Sequence, residues 1–348
     1  MRQTEQDEGR RKIQFTGGST YIISLPKKWI EINQLKKGSY IKLREEEAGL
    51  LTIVPPEAIV QEKSSKAVIK IFTEEDTEAI LRKIISLYLA GYNSIVIKAE
   101  KQLSIKQRHE IKAFARRLLV GTEIVVDTSN QVMLQMLLTY PELTIPNTLR
   151  RMSIITKSMH NDAVLAIKTK DAQLANEVML TDNEVDRFSL YVNRLLRSAI
   201  QNPRVAKEIG LINCKDCLGY IVVTRLIERT ADRAAALAKS NLDFENELHP
   251  EIIEKIESLS GIAVNMFEKS METLFRQDFT MAQKIFERIK DFRVLERQAM
   301  VYSQANVEGI AHLRLIIENL RRTAEYAFDI AEIVLNLNTD SILCDKTC

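Results

Sequence analysis

The period of the apolar positions changes twice along the chain, dividing it into a β part, a mixed part and a long helical part. Lys12–Phe15 and Thr20–Leu25 are short β-branched and aromatic runs either side of Gly17-Gly18, which predicts a hairpin. Pro26 ends the second run and suits the first turn of a helix over Lys27–Glu31. Lys37-Gly38 predicts a turn. Ser39–Leu43 alternates as a strand, and Leu50–Val54 follows Gly49 as the next.

Strands then alternate with helices. Lys66–Phe72 reads as a strand, and Thr73 with Asp76 has capping-box spacing before a helix over Glu78–Leu89. Ile80, Ile84, Leu87 and Tyr88 give that helix one apolar face, and Gly91 closes it. Ser94–Lys98 is the next strand. Ser104 and Gln107 open a second helix that runs to about Leu119, and Glu123–Asp127 follows Gly121 as a strand. Gln131–Leu138 is an ambiguous apolar run that fits a fourth strand. The order predicts a small parallel or mixed sheet with right-handed crossovers. No G-x-G-x-x-G or phosphate loop stands at a strand-to-helix turn, which argues against a nucleotide site. His109 reads as a surface helix residue.

From Thr148 the spacing is helical almost to the end, with breaks at Pro203, Gly210–Gly219, His249-Pro250, Gln277–Phe279 and Asn336–Asp340. About six helices result. Arg225–Ala238 returns near the C-terminus as Arg321–Ala331. Placing Arg229 on Arg322 aligns Arg-Thr-Ala-[Asp/Glu]-x-Ala-x-x-[Leu/Ile]-Ala in both copies. Such a repeat predicts two copies of one unit, each a three-helix bundle. Met159, Met179, Met266 and Met271 read as core residues.

At 348 residues, with 45% hydrophobic and 28% charged residues, the chain fits a soluble protein of more than one domain. The net charge of +2 conceals an asymmetry. Between Arg10 and Arg44 nine basic residues face the single acid Glu31, a local charge of +8, which is the footprint of a polyanion partner. Arg10, Arg11, Lys12, Lys27 and Lys28 are the candidate contacts to that polyanion, and Arg11, with its forked guanidinium, is the candidate for a base edge should the polyanion be DNA. No apolar run approaches the ~18 residues of a membrane span, and the polar N-terminus lacks a secretory core. The cytoplasm is the expected compartment. Cys214, Cys217, Cys344 and Cys348 could supply zinc thiolates, but the second spacing is unusual and reduced thiols are expected.

Glu228 with Asp232, and Glu325 with Asp329, each share a helix face, and Glu318 and Glu332 flank the second pair. Like charges at that spacing repel by about 0.2–0.5 kcal/mol per pair. Either Arg225, Arg229, Arg233 and Arg322 balance a solvated face, or an oxygen-preferring cation does. With no His or activated nucleophile beside these acids, an enzyme is not expected; a metal-dependent phosphohydrolase is the weakest of the functions considered.

Two resemblances follow from these residues. The order of basic strand, glycine turn, Leu25-Pro-Lys-Lys-Trp29, Leu35-Lys-Lys-Gly38 and two further strands resembles the AbrB/SpoVT-type swapped-hairpin DNA-binding domain. That implies double-stranded DNA as a partner. It also implies an intertwined homodimer, held here by Ile13, Phe15, Ile22, Leu25, Ile41, Leu51 and Ile53. Asp171, then Asp182-Asn-Glu-Val-Asp186, and a later Glu228-Arg-x-x-Asp232 resemble the PhoU family of tandem three-helix bundles. This resemblance implies a transition metal (iron, zinc or manganese) on Asp182, Asp186, Glu228 and Asp232, and a role in restraining phosphate uptake with a transporter or signalling partner. In the second bundle the family's leading Glu falls on Arg321, leaving Glu325 and Asp329 as the nearest equivalents, with Glu287 and Asp291 loosely in register.

The whole chain resembles archaeal-type phosphate uptake regulators. The expected fold is multidomain α+β: a swapped-hairpin domain over 1–56, an α/β connector over 57–145, and tandem three-helix bundles over 146–242 and 243–348. The expected function is DNA-binding regulation of phosphate uptake. The alternative is an adaptor that restrains a transporter or kinase without binding DNA.

Overall fold

The computed structural model describes residues 11–46, 49–55, 66–137, 143–243, 248–305 and 310–337. It divides into two compact units, Met1–Ser64 and Ser65–Cys348. In the first, β1 (Gln14–Thr16) pairs antiparallel with β2 (Thr20–Ile22). The turn between them holds Gly17 and Gly18 at φ 62° and 79°, a left-handed conformation that favours glycine. After α1 (Lys27–Ile32), β3 (Lys42–Glu46) pairs antiparallel with β4 (Leu50–Val54). β3 starts later than the alternation from Ser39 predicts. Ser39 is held in a turn, its hydroxyl accepting from the Lys36 amide at 2.9 Å. Both hairpins leave large apolar side chains uncovered, among them Phe15 at 60%, Tyr21 at 73% and Leu51 at 60% exposure. Two isolated hairpins cannot bury a core by themselves.

The second unit opens with β5 (Lys66–Ile71), α2 (Thr77–Leu89), β6 (Ser94–Ala99), α3 (Ile105–Leu118), β7 (Thr122–Asp127) and β8 (Gln131–Met136). The sheet order is β5-β6-β8-β7, parallel at β5/β6 and antiparallel at the other two joints. The ambiguous apolar run is thus a central strand, with Val132 and Leu134 buried under the helices. Ser104 and Gln107, which open α3 as expected, form a capping box. The one expected at Thr73 does not form: Asp76 itself caps α2 through the Ala79 amide, and the Thr73 hydroxyl donates to the Gln102 carbonyl. The Gln107 amide group also donates to the carbonyls of Phe72, Thr73 and Glu75, tying the start of α3 to the end of β5.

The helical part comprises α4 (Ile145–Thr169), α5 (Ala172–Gln201), α6 (Pro203–Glu208), α7 (Asp216–Asp243), α8 (Pro250–Arg276), α9 (Phe279–Ala305) and α10 (Ile310–Leu337). Six are long, as the spacing predicts, and the short α6 is an addition. Gly219 lies inside α7, although it reads as a helix break. A Cβ there would come within 2.7 Å of Leu337 Cδ2, so glycine permits α7 and α10 to approach closely. Helices α4, α5 and α7 pack on one another, as do α8, α9 and α10. The α7–α10 and α4–α8 contacts join the two triads, and one apolar core runs through both. At that junction His160 of α4 sets Nε2 2.9 Å from the Thr230 carbonyl and 3.3 Å from the Thr323 hydroxyl, the matching threonines of the repeat. The connector docks on α5 through α2 and α3. Arg194 donates to the carbonyls of Tyr88, Gly91 and Tyr92 and to Asn93 Oδ1, satisfying groups that the end of α2 leaves open.

Candidate functional site

Three carboxylates, Asp186, Glu228 and Asp232, meet where α5 packs on α7, and a fourth, Asp182, lies near enough to feel their charge. Asp182 and Asp186 stand one turn apart on α5, and Glu228 and Asp232 one turn apart on α7. Asp186, Glu228 and Asp232 can each offer an oxygen, the three atoms lying within 4.8 Å of one another. Burial, then the charges of Asp186, Asp232 and Glu228, push Asp182 up to about 7. Glu228 also rises to about 7, first through burial and then through Asp232, with Arg225 opposing. Asp186 and Asp232 are raised too, mainly by burial. Asp182 Oδ1 and Glu228 Oε2 are buried with no hydrogen-bond partner.

The arginines that could balance a solvated face offset the burial only in part: Arg233, Arg225 and Arg229 all pull Asp232 down, yet it stays raised. Arg225 donates to Glu228 Oε1 at 2.7 Å, the only ion pair at this face among the described residues. Arg233 turns instead to Asn319 Oδ1 at 3.3 Å. Carboxylates crowded at this spacing, with two orphaned oxygens, fit an oxygen-preferring divalent cation. Bound there, a cation would supply positive charge to all four groups and clamp α5 to α7.

The second bundle is arranged differently. Glu325 is paired with Arg321 at 2.5 Å and Arg322 at 3.2 Å. Asp329 is raised by burial, Glu332 and Glu325. Asp291 pairs with Arg288 at 3.2 Å. Among the described residues, no group of metal-capable side chains includes Glu325 or Asp329. These two, expected as ligands beside the first four, are therefore not brought together with partners.

In the N-terminal unit Arg11, Lys12, Lys27 and Lys28 are exposed, and Lys27 is 3.7 Å from Glu31. Arg10 lies outside the described residues, as do Cys344 and Cys348. Cys214 and Cys217 are unbonded, and burial pushes the Cys217 thiol up to about 11, far from a reactive thiolate. His109 is on the surface, 3.7 Å from Glu110. Periodicity did not single out Arg194 or His160. Each reads as an ordinary helix residue until the element it faces is known.

Residues 149–240 and 256–334 match the PhoU domain, and residues 14–60 match "Antidote-toxin recognition MazE, bacterial antitoxin". The phosphate-specific transport system accessory protein PhoU homolog of Xylella fastidiosa (strain 9a5c) is 23% identical over 211 residues, spanning 57% of this chain and 87% of its own. The homolog of Caulobacter vibrioides (strain NA1000 / CB15N) is 21% identical over 192 residues, spanning 53% of this chain and 82% of its own. The crystal structure of PhoU from Pseudomonas aeruginosa superposes with a TM-score of 0.50 at 18% identity, over 56% of this chain and 96% of that one.

The chain is PhoU-like. All four clustered acids lie in the first PhoU match, and Glu325 and Asp329 lie in the second. The PhoU matches begin beyond the connector sheet, so that sheet stands between them and the MazE-type segment in sequence.

Proposed function

We propose that this PhoU-like protein is a DNA-binding regulator of phosphate uptake, with a divalent transition metal held by Asp182, Asp186, Glu228 and Asp232. The observation that carries the metal reading is the pair of orphaned, buried carboxylate oxygens in that cluster. Asp182 and Asp186 share α5 with Leu190, which packs against the connector core, and with Arg194, which holds the end of α2. The α5–α7 clamp is thus placed to alter how the connector is held. The +8 segment and the MazE match support DNA as the partner of the N-terminal unit. The names of the relatives support phosphate as the signal. Among the described residues no helix is long and apolar enough to cross a membrane; the cytoplasm is the compartment this proposal assigns, because a regulator of this kind acts on DNA there.

A second reading keeps the helical part as an accessory to a transporter and uses the β unit only for dimerisation. It is favoured by relatives that match through the helical part and carry transport accessory names. Genome-wide mapping of DNA occupancy at high and low phosphate separates the two. Discrete, phosphate-dependent sites are expected, and their absence at both levels would favour the accessory role. Metal analysis of the purified protein tests the cluster directly. Bound transition metal should be lost in the Glu228→Ala/Asp232→Ala variant, and equal content in both proteins would return the acids to a solvated face.

A further inference from the structure

The repeat extends beyond α7 and α10. Lys170 and Gln277 end α4 and α8 in the left-handed conformation, at φ 56° and 54°. Asp171 and Asp278 follow, and each side chain accepts a backbone amide of the next helix. Carrying that register forward places Ile289 at the position of Asp182, and Arg293 at that of Asp186. The α7/α10 alignment places Arg321 at Glu228 and Glu325 at Asp232. All four equivalents line one cleft of about 280 Å³ between α9 and α10, together with Glu296 and Arg297. The second bundle therefore has a cleft at the position of the first bundle's acid cluster and replaces three of the four carboxylates, two of them by arginine.

We propose that Arg321 is the built-in cation of this second cleft, so that the second bundle excludes metal and the chain has a single metal-responsive bundle. The proposal rests on reading the first cleft as the metal centre. The Arg321 guanidinium donates to both oxygens of Glu318 at 2.6 and 2.7 Å and to Glu325 at 2.5 Å, with Glu296 3.7 Å away. Arg322 adds a second cation, 3.0 Å from Glu318 and 3.2 Å from Glu325. A guanidinium does not lose its proton in proteins, so this charge is fixed where a metal's would depend on supply. It is also tethered, so filling the position costs none of the translational freedom that a bound ion gives up. The two clefts differ accordingly: the first leaves buried carboxylate oxygens orphaned, and Glu296, Glu318 and Glu325 leave none among the described residues.

The test titrates the metal-stripped full chain with Mn²⁺ and reads bound metal per chain. Glu228→Gln/Asp232→Asn should abolish binding. Adding Arg293→Asp/Arg321→Glu on that background should restore it, and Arg321→Lys should not. Mn²⁺ that survives Glu228→Gln/Asp232→Asn and is lost with Glu318→Gln/Glu325→Gln would overturn the proposal, because the second cleft would then bind metal beside Arg321. A wild type without Mn²⁺ whose Arg293→Asp/Arg321→Glu variant gains it would sink the first-cleft reading and leave the Arg321 assignment standing. Should charge reversal unfold the chain, Arg321→Gln in the same background is read by thermal midpoint. A rise on adding Mn²⁺ is expected, and a folded variant with no rise overturns the proposal.

Discussion

His160 lies where the two repeats meet, with Nε2 2.9 Å from the Thr230 carbonyl and Nδ1 buried without a partner. Burial holds its pKa down to about 4, against a backbone hydrogen bond that favours the charged form. The unfolded chain protonates it near its ordinary value of about 6.5, so its contribution to stability is complete above that pH and is lost as pH falls toward 4. His160→Gln should lower the thermal midpoint at neutral pH and flatten its fall on acidification. An unchanged acid limb would mean that other groups set it. The acid cluster titrates with the opposite sign. Asp182 and Glu228 are raised to about 7, so stability present below the ordinary carboxylate range is lost as pH climbs through that value. Metal-free protein should therefore melt lower at mildly alkaline than at mildly acidic pH. Glu228→Gln should reduce that slope, and added Mn²⁺ should recover the alkaline midpoint.

At the scale of elements, α5 carries Asp182, Asp186, Leu190 and Arg194 at four-residue steps, a single stripe along the helix. Its first half faces α7 and its second half faces the connector. Asp186 also feels Arg117 of α3. Arg194→Met would remove four charge-assisted hydrogen bonds and leave the end of α2 with open carbonyls. Losing even one such bond costs about 1.5–3 kcal/mol. Hydrogen exchange should quicken in α2 and α3 and stay unchanged in α8 and α10; uniform quickening would show that Arg194 supports the whole unit instead. In the N-terminal unit, Lys27→Ala/Lys28→Ala should weaken all duplexes alike and flatten the salt slope. Arg11→Ala should lower affinity for the cognate duplex by roughly tenfold or more and that for scrambled duplex far less. Equal losses on both duplexes would remove Arg11 as a base contact.

For the whole molecule, we predict that the exposed apolar side chains of β1 to β4 are covered by a second copy of the chain. Phe15→Ser/Leu51→Ser should shift light scattering from dimer to monomer while helix content stays constant, and an unchanged dimer would place the contact elsewhere. Much of this architecture is legible in the amino-acid order. Period decides element type, so the hairpins, the alternating connector and the long helices follow from local spacing; the Arg-Thr-Ala repeat reveals the duplicated unit, and helical spacing puts Glu228 with Asp232, and Glu325 with Asp329, on one face each. Other features needed the fold. β8 reads as a strand but takes a central place only through pairing with β6 and β7. Gly219 reads as a break and proves to be a point of close helix approach. The Glu228–Asp232 and Glu325–Asp329 pairs look alike in one dimension. Packing on α5 brings Asp182 and Asp186 to the first, while α9 offers Ile289 and Arg293 to the second cleft, where Arg321 holds Glu325. The sequence by itself determines which residues share the face of a helix, because that depends only on helical period. Which faces meet, and which charges they bury together, is decided by the packing of one core contributed by helices far apart in the chain.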